Sequence, residues 1–231
     1  MSVFFLIVVP YAALLVAIGG GIYRFYVRPY SYTSLSSQIL EGRKLYWGSV
    51  PWHYGIGFIL LAHLLAALFP GSTAALLGSP WRLIILEGTG MGLALFALFG
   101  LLVLIFRRVG TRSLPRFVTS RLDGLLLALL LLQTATGFLI ALFNRWGGLW
   151  YVHTAVPWFW SLARFHPDAS TVADLPRFVL FHFVVGFAII FIFPFTRLVH
   201  LVKMPVHYLW RPYQRVVWYR QPGAGRKPDE S

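Results

Sequence analysis

The sequence predicts an all-α integral membrane protein with five transmembrane helices. Hydrophobic residues make up 58% of the 231 residues and charged residues only 12%, a balance outside the range of soluble domains. The apolar residues gather in five stretches, each near the about 20 residues that a helix needs to cross a bilayer. Because lipid offers no partner for backbone amides, the stretches must be helical. They run from Val3 to Val27, Pro51 to Phe69, Leu83 to Phe106, Leu122 to Phe143 and Phe178 to Val202.

Each stretch carries its own local features. The first is expected to remain as an anchor rather than a cleaved signal, because Arg24 and Arg28 follow it and no basic segment precedes it. The second and the fifth contain two histidines each. The fourth begins at Asp123, a carboxylate that suits the N-terminus of a helix. The fifth contains Pro194, where a bend is expected.

The 20 Lys and Arg residues are distributed unevenly between the connections. On one side of the membrane the connections contain only Arg82, Arg145, Arg164 and Arg177. By the positive-inside rule the other side is cytoplasmic, so the N-terminus is expected outside the plasma membrane and the C-terminus inside. A membrane domain is expected over residues 1–220, followed by a flexible cytoplasmic tail over residues 221–231. The net charge of +13 then reflects orientation and contact with anionic membrane lipids, and no nucleic-acid partner is expected.

Four histidines lie within the predicted helices: His53 and His63 in the second, His182 and His200 in the fifth. Ionisable side chains at membrane depth are costly and usually functional. Because the two helices run in opposite directions, depth pairs His53 with His200 near the inner face and His63 with His182 near the outer face. On one straight helix, His182 and His200 would be about 27 Å apart along the axis and would share a face. His53 and His63 would be about 15 Å apart along their helix. Helix tilt and the bend at Pro194 must absorb this difference.

Two histidines from opposing helices at each of two levels are the ligand set that bis-histidine haem binding requires. The absence of cysteine excludes thiolate-bound clusters and c-type haem attachment. A copper or zinc site is the alternative, but the two levels separate the histidines too far for one metal. A lone membrane histidine can also simply hydrogen-bond a neighbouring helix. His153, His166 and His207 lie in connections or the tail and are expected to be interfacial or solvated.

Three segments resemble the gamma subunit of respiratory nitrate reductase, the dihaem cytochrome b membrane anchor of that enzyme. They are PWHYGIGFILLAHLL around His53 and His63, HFVVGFAIIFIFPFTRLVHLVKMPVHYL from His182 onward, and SSQILEGRK at Ser36 to Lys44. The resemblance covers nearly the full length. It implies that His53 and His200 bind an inner b haem and that His63 and His182 bind an outer one.

The resemblance also implies a function. Quinol is oxidised near the outer haem, and electrons pass through the inner haem to an iron–sulfur subunit and a molybdenum catalytic subunit in the cytoplasm. A chain without cysteine cannot itself hold iron–sulfur clusters, so a partner must receive the electrons. Nitrate reduction then takes place in that partner. Arg107, Arg108 and Arg197 are candidates for contact with propionates of the inner haem.

The quinol pocket is expected beside His63, and here the sequence departs from the family. Bacterial members carry a lysine in the outer connection after the second helix, whereas residues 70–87 contain none. Arg82 is the nearest cationic substitute, and Glu87 is a candidate proton acceptor. The arginine that the family has just before the outer histidine of the fifth helix is also missing, with Leu180 in that region.

Two classes of function remain open from the sequence. The first is a quinol-oxidising cytochrome b of a nitrate reductase, with the related cytochromes of sulfur-compound or heterodisulfide reductase complexes as close variants. The second is a non-redox membrane protein, either a transporter whose histidines relay protons or a plain anchor. An absorption spectrum of the reduced protein separates the two classes, because only the first contains b-type haem.

Overall fold

The computed structural model describes residues 4–27, 42–110, 121–144 and 147–201, with side chains in the second helix described from residue 46 onward. All regular structure in these ranges is helical. The α-helices are α1 (Val9–Val27), α2 (Gly42–Leu68), α3 (Pro70–Leu77), α4 (Pro80–Gly110), α5 (Arg121–Phe143), α6 (Gly147–Trp150), α7 (Val156–Ala163) and α8 (Arg177–Ile192). Shorter π-helical and 3₁₀ segments lie at Phe4–Val8, Tyr151–Ala155, Ser170–Val172, Phe193–Phe195 and Arg197–Leu201.

Five helical segments of the described chain are long and apolar enough to cross a membrane, which confirms the predicted fold class. They are Phe4–Val27, Tyr46–Leu68, Pro80–Gly110, Arg121–Phe143 and Arg177–Phe195. Two connections are partly helical, with α3 after the second span and α6 and α7 after the fourth. The predicted tail over residues 221–231, His207 and most of the SSQILEGRK segment lie outside the described residues.

α2 packs against α4 through glycines that let the two backbones approach closely. A Cβ atom at Gly55 would lie 2.9 Å from the carbonyl oxygen of Leu93, and one at Gly100 would lie 2.7 Å from the carbonyl oxygen of Gly48. Membrane helices use small residues in this way because van der Waals packing, rather than exclusion of water, holds them together. The contact therefore sets the height of α2, the helix that carries two of the predicted ligands.

A buried aromatic cluster joins the segment before α8 to the membrane helices. Trp158 on α7 is fully buried, and its ring stacks on that of Phe183 with centroids 5.3 Å apart and an interplanar angle of 9°. Leu180, in the region where an arginine was expected from the family, is buried in the same cluster together with Leu6. The outer end of α8 is therefore held in an apolar core, which a cation at the position of Leu180 would disrupt.

The fifth predicted helix is not continuous, and the expectation of one α-helix from Phe178 to Val202 is wrong. α8 ends at Ile192, and two 3₁₀ segments follow it. Between them the backbone of Thr196 is extended, with φ −111° and ψ 179°. His182 and His200 therefore do not share a face of one α-helix.

The interruption lies at Pro194, where a bend was expected. Proline has no N–H to donate to the preceding turn and its ring crowds that turn. α1 accommodates the altered backbone, since a Cβ atom at Gly20 would lie only 3.0 Å from Cγ of Pro194. The guanidinium group of Arg24 donates a hydrogen bond to the carbonyl oxygen of Pro194. The first span thus stabilises the break in the fifth.

Candidate functional site

The rings of the two predicted inner ligands lie close together. The ring centroids of His53, on α2, and His200, on the last 3₁₀ segment, are 6.1 Å apart with an interplanar angle of 73°. Nδ1 of His53 lies 2.8 Å from the carbonyl oxygen of Ser49, and Nδ1 of His200 lies 2.6 Å from that of Arg197. A carbonyl oxygen only accepts, so Nδ1 carries the proton in both rings. The lone pair of each ring is then on Nε2, where a metal can bind.

The two predicted outer ligands, His63 and His182, lie on α2 and α8. Nδ1 of His63 donates to the carbonyl oxygen of Ile59 at 2.8 Å. His182 has different partners, both on α5. Its Nδ1 lies 2.8 Å from Oγ1 of Thr136, and its Nε2 lies 3.0 Å from the amide nitrogen of Gln133. The structure therefore places the rings of His53 and His200 beside each other, and the pairing of His63 with His182 stays a prediction.

The spacing of the inner pair fits two imidazoles that would hold one haem iron between them. An imidazole nitrogen lies about 2 Å from a first-row metal ion and the ring centre about 1 Å farther away, so axial rings have centroids about 6 Å apart. The 6.1 Å between His53 and His200 matches that spacing. Both of these residues and His63 are exposed, which leaves their rings accessible to a planar macrocycle. Among the described residues no group of three or more His, Asp or Glu side chains is arranged to hold a metal ion.

A charged cluster lies at the inner end of the site. The carboxylate of Asp123 is buried and lies 3.3 Å from Nη2 of Arg108 and 3.3 Å from Nε of Arg197. The expectation that Asp123 interacts with the dipole of its own helix was therefore incomplete, because the carboxylate joins α4 and the last 3₁₀ segment to α5. No pattern in the sequence indicated these partners, since they depend on how three separate spans pack.

Glu87 lies near the level of His63. The contact between Gly55 and Ala97 defines the antiparallel register of α2 and α4. Continued outward, this register places Glu87 about 3 Å in axial rise from His63. Oε1 of Glu87 accepts a hydrogen bond from the backbone N–H of Gly148, with an N···O distance of 3.3 Å. Glu87 thus links the third span to the helical segment that covers the outer end.

Arg82 interacts with backbone carbonyl groups at the end of α3. Its Nε donates to the carbonyl oxygen of Leu76 at 2.7 Å, and its Nη2 donates to that of Ala75 at 3.2 Å. The last carbonyl groups of a helix have no partner within the helix, and a cation is favourable beside them. Arg82 therefore caps the C-terminal end of α3.

Tyr151 is a neighbour of His63 that the sequence reasoning missed. The two ring centroids lie 5.0 Å apart in an edge-on contact, and the phenol donates a hydrogen bond of 3.3 Å to the carbonyl oxygen of His63. Burial raises the pKa of the Tyr151 phenol to about 12, so it stays protonated at physiological pH. Tyr151 lies in the connection between the fourth and fifth spans, and nothing in the sequence pattern placed it beside α2.

The α5 partners of His182 did have a signal in the sequence. Gln133, Thr134 and Thr136 are polar residues in an otherwise leucine-rich span. Polar side chains in a membrane helix usually face other helices rather than lipid. This pattern marks the side of α5 that faces the protein, although it does not identify the partner.

Comparisons with known proteins agree with this architecture. The family model for the nitrate reductase gamma subunit matches residues 2–219. The nitrate reductase gamma chain of Bacillus subtilis (strain 168) is 34% identical over 209 residues, which cover 89% of this chain and 93% of the relative. The respiratory nitrate reductase 1 gamma chain of Escherichia coli (strain K12) is 31% identical over 220 residues, which cover 94% of this chain and 97% of the relative.

The fold and the paired histidines define a class of protein, the multi-pass membrane protein of cytochrome b type. Within that class, the chain belongs to the nitrate reductase gamma subunit family. It is therefore a membrane-anchor subunit of a nitrate reductase, a component of an oxidoreductase complex with other subunits. The resemblance found in the histidine-containing segments is confirmed.

Proposed function

We propose that this chain oxidises quinol near the outer face of the plasma membrane and passes the electrons inward to the other subunits of a nitrate reductase. The observation that carries the proposal is the arrangement of four histidines on α2 and the fifth span, with the rings of His53 and His200 beside each other. The inner pair, with ring centroids 6.1 Å apart, has the spacing of two axial ligands. Two levels of this kind provide a route across the membrane for electrons.

Two b haems are the proposed cofactors, an inner one held by His53 and His200 and an outer one held by His63 and His182. When bound, each haem accepts and releases one electron at a time. The chain's own contribution is to hold each imidazole neutral and oriented. Hydrogen bonds to Nδ1 do this in all four rings, because they keep the proton away from Nε2.

The proposed quinol pocket lies beside His63, with Glu87, Arg82 and Tyr151 around it. Oxidation of a quinol releases two protons along with its two electrons, so a nearby carboxylate is a suitable acceptor. Glu87 is the described carboxylate nearest in level to His63. Arg82 keeps a positive charge at this end of the protein, and the ring of Tyr151 limits the space beside that of His63.

The proposed direction of electron transfer follows from the distribution of Lys and Arg between the connections. Lys and Arg are concentrated in the connections on the side of His53 and His200, which makes that side cytoplasmic. An iron–sulfur subunit there would receive the electrons and pass them to a molybdenum catalytic subunit. Moving charge inward while protons leave outside stores about 2.3 kcal/mol per charge for each 100 mV of membrane potential. The membrane domain over residues 1–220 and the cytoplasmic tail over residues 221–231 are part of this proposal.

Haem spectra of the purified complex test the proposal. The dithionite-reduced wild type is expected to show two b-haem components. His63→Ala or His182→Ala is expected to remove one and stop quinol oxidation, because each deletes an outer axial ligand. Nitrate reduction by an artificial reductant that feeds the soluble subunits directly should continue. His153→Ala, a histidine in the outer connection, is the control and should keep both components.

Two results would contradict the proposal. Absence of b haem from the wild-type complex would exclude the redox function altogether. Retention of both components in His63→Ala or His182→Ala would show that the ligand pairing is wrong. Copurification of the partner subunits then identifies the acceptor and separates nitrate reductase from a sulfur-compound or heterodisulfide reductase complex.

A further inference from the structure

We propose that Thr136 is a positioning residue of the outer haem site. Its hydroxyl oxygen accepts the Nδ1–H of His182 and thereby sets the orientation and the electron-donating strength of that imidazole. This inference rests on the proposed ligation of the outer haem by His182.

His182 is held differently from the other three histidines. Nδ1 of His53, His63 and His200 lies between 2.6 and 2.8 Å from a carbonyl oxygen three or four residues earlier in the same segment. Nδ1 of His182 instead lies 2.8 Å from Oγ1 of Thr136, a side chain on another span. The orientation of this ring therefore depends on how α5 packs against α8.

The hydroxyl group of Thr136 is available as an acceptor. A hydroxyl has one proton and two lone pairs, and Oγ1 of Thr136 lies 2.7 Å from the carbonyl oxygen of Leu132. The hydroxyl proton is therefore used within α5, and the lone pairs remain for the Nδ1–H of His182. This arrangement selects the tautomer with an unprotonated Nε2, which is the form that binds a metal.

The neighbouring positions of α5 are adapted to the same ring. A Cβ atom at Gly137 would lie 3.1 Å from Cε1 of His182, so glycine at this position allows α5 to approach the ring. Gln133 is three residues before Thr136 and four before Gly137, so the three residues lie on one face of the helix. Its amide nitrogen is 3.0 Å from Nε2 of His182, the atom proposed to bind iron. Thr136 contacts the nitrogen on the other side of the ring, at 2.8 Å.

The hydrogen bond to Nδ1 affects the iron through the ring. Donation from Nδ1–H to an acceptor makes an imidazole a more basic ligand, and a more basic ligand favours the ferric state. Loss of the acceptor should therefore weaken ligation and raise the midpoint potential of the outer haem only. Hydrogen bonding around an axial ligand is one of the means by which a protein sets haem potential.

Optical redox titration of the assembled complex in membranes tests the inference. The outer component is identified as the one missing in His182→Ala. In Thr136→Val we expect the midpoint potential of that component to rise, where each tenfold change in the preference for the ferric state equals about 59 mV. Alternatively, we expect the outer site to lose haem occupancy, because ligation becomes about 10- to 100-fold weaker. The inner component should not move. Thr136→Ser, which keeps the hydroxyl, should restore the wild-type potential.

Thr134→Val is the control, because the Thr134 hydroxyl is buried in the same helix and donates to the carbonyl oxygen of Leu130. It should leave both components unchanged. An outer component with unchanged potential and occupancy in Thr136→Val would overturn the inference, as would an equal shift of both components. If Thr136→Val assembles without either haem, Thr136→Ala replaces it in the same titration. If His182 does not bind the outer haem, His182→Ala would keep both haem components. This result would distinguish failure of the haem assignment from failure of the role of Thr136.

Discussion

Oδ1 of Asp123 lies 3.3 Å from Nε of Arg197. The backbone carbonyl oxygen of the same Arg197 accepts the Nδ1–H of His200 at 2.6 Å. A buried carboxylate at the start of α5 is thus connected, through one arginine, to a proposed inner ligand on another span. Because Arg108 binds the second oxygen of the carboxylate, the connection also includes α4.

Asp123→Asn is expected to destabilise the inner end of the bundle. The change removes the negative charge between two arginines and leaves a weaker hydrogen-bonding partner, which should lower the free energy of unfolding by about 1–3 kcal/mol. The inner haem component should be lost at a lower temperature than in the wild type, while the outer component is retained. The measurement is a thermal ramp that follows both b-haem bands. Asp174→Asn, at an exposed aspartate, should behave as the wild type, and equal effects of the two variants would contradict the prediction.

Gly100→Ala is expected to separate α2 from α4. The added methyl group would lie 2.7 Å from the carbonyl oxygen of Gly48, and backbone cannot move aside as a side chain can. Overpacking of this kind costs about 1–3 kcal/mol, although alanine is otherwise favoured over glycine within a helix. Gly92→Ala on the same helix is the matched control, because a methyl group there would meet no atom within 4 Å.

Thermal stability of the two glycine variants should therefore change in opposite directions. The loss of b-haem absorption on heating is the measurement, made on both variants in the same membranes. Gly92→Ala should melt at or above the wild-type temperature, and Gly100→Ala below it. A Gly100→Ala protein as stable as the wild type would show that the two backbones are farther apart than described here.

Tyr151→Phe is expected to change the response to alkaline pH. Burial raises the pKa of the Tyr151 phenol from 10.0 to about 12, so the folded state favours the neutral form. The resulting stabilisation is fully present below the unfolded pKa and is lost as pH rises from 10 towards 12. At neutral pH the variant should be less stable by about 0.5–1.5 kcal/mol, because the hydrogen bond to the carbonyl oxygen of His63 is missing.

Thermal midpoints of the wild type and Tyr151→Phe, compared from pH 8 to above pH 11, provide the measurement. The difference between the two thermal midpoints should shrink above pH 10, because only the wild type has the Tyr151 phenol, which can ionise when the protein unfolds. The other tyrosines are present in both proteins and cancel. Parallel curves over the whole range would contradict the role of burial.

Much of the architecture could be predicted from the sequence, because lipid imposes simple rules. Length and apolarity identified all five spans. Antiparallel direction predicted the pairing of His53 with His200, whose rings lie beside each other, and of His63 with His182, which stays a prediction. The prediction of one continuous fifth helix failed, because its backbone depends on contacts with another span. Pro194 indicates a bend, but the extended Thr196 after it depends on the space and the hydrogen bond that α1 provides.

The surroundings of the histidines were less accessible to sequence reasoning. A histidine within a helix can donate to a carbonyl oxygen one turn earlier, as His63 does to Ile59. The prediction of the helix therefore already included this acceptor. The contacts of Thr136 with His182 and of Tyr151 with His63 require the packing of separate segments. Periodicity shows that α5 has a polar side, but it does not say which side chain that face meets.

The extended backbone at Thr196 has a mechanical consequence for electron transfer. A rigid rod from His182 to His200 would transmit any displacement of its inner end to its outer end. Because the rod is interrupted, His200 can be displaced while His182 keeps its orientation on α8. In the proposed function, this break separates the ligand near the soluble subunits from the ligand near the quinol pocket.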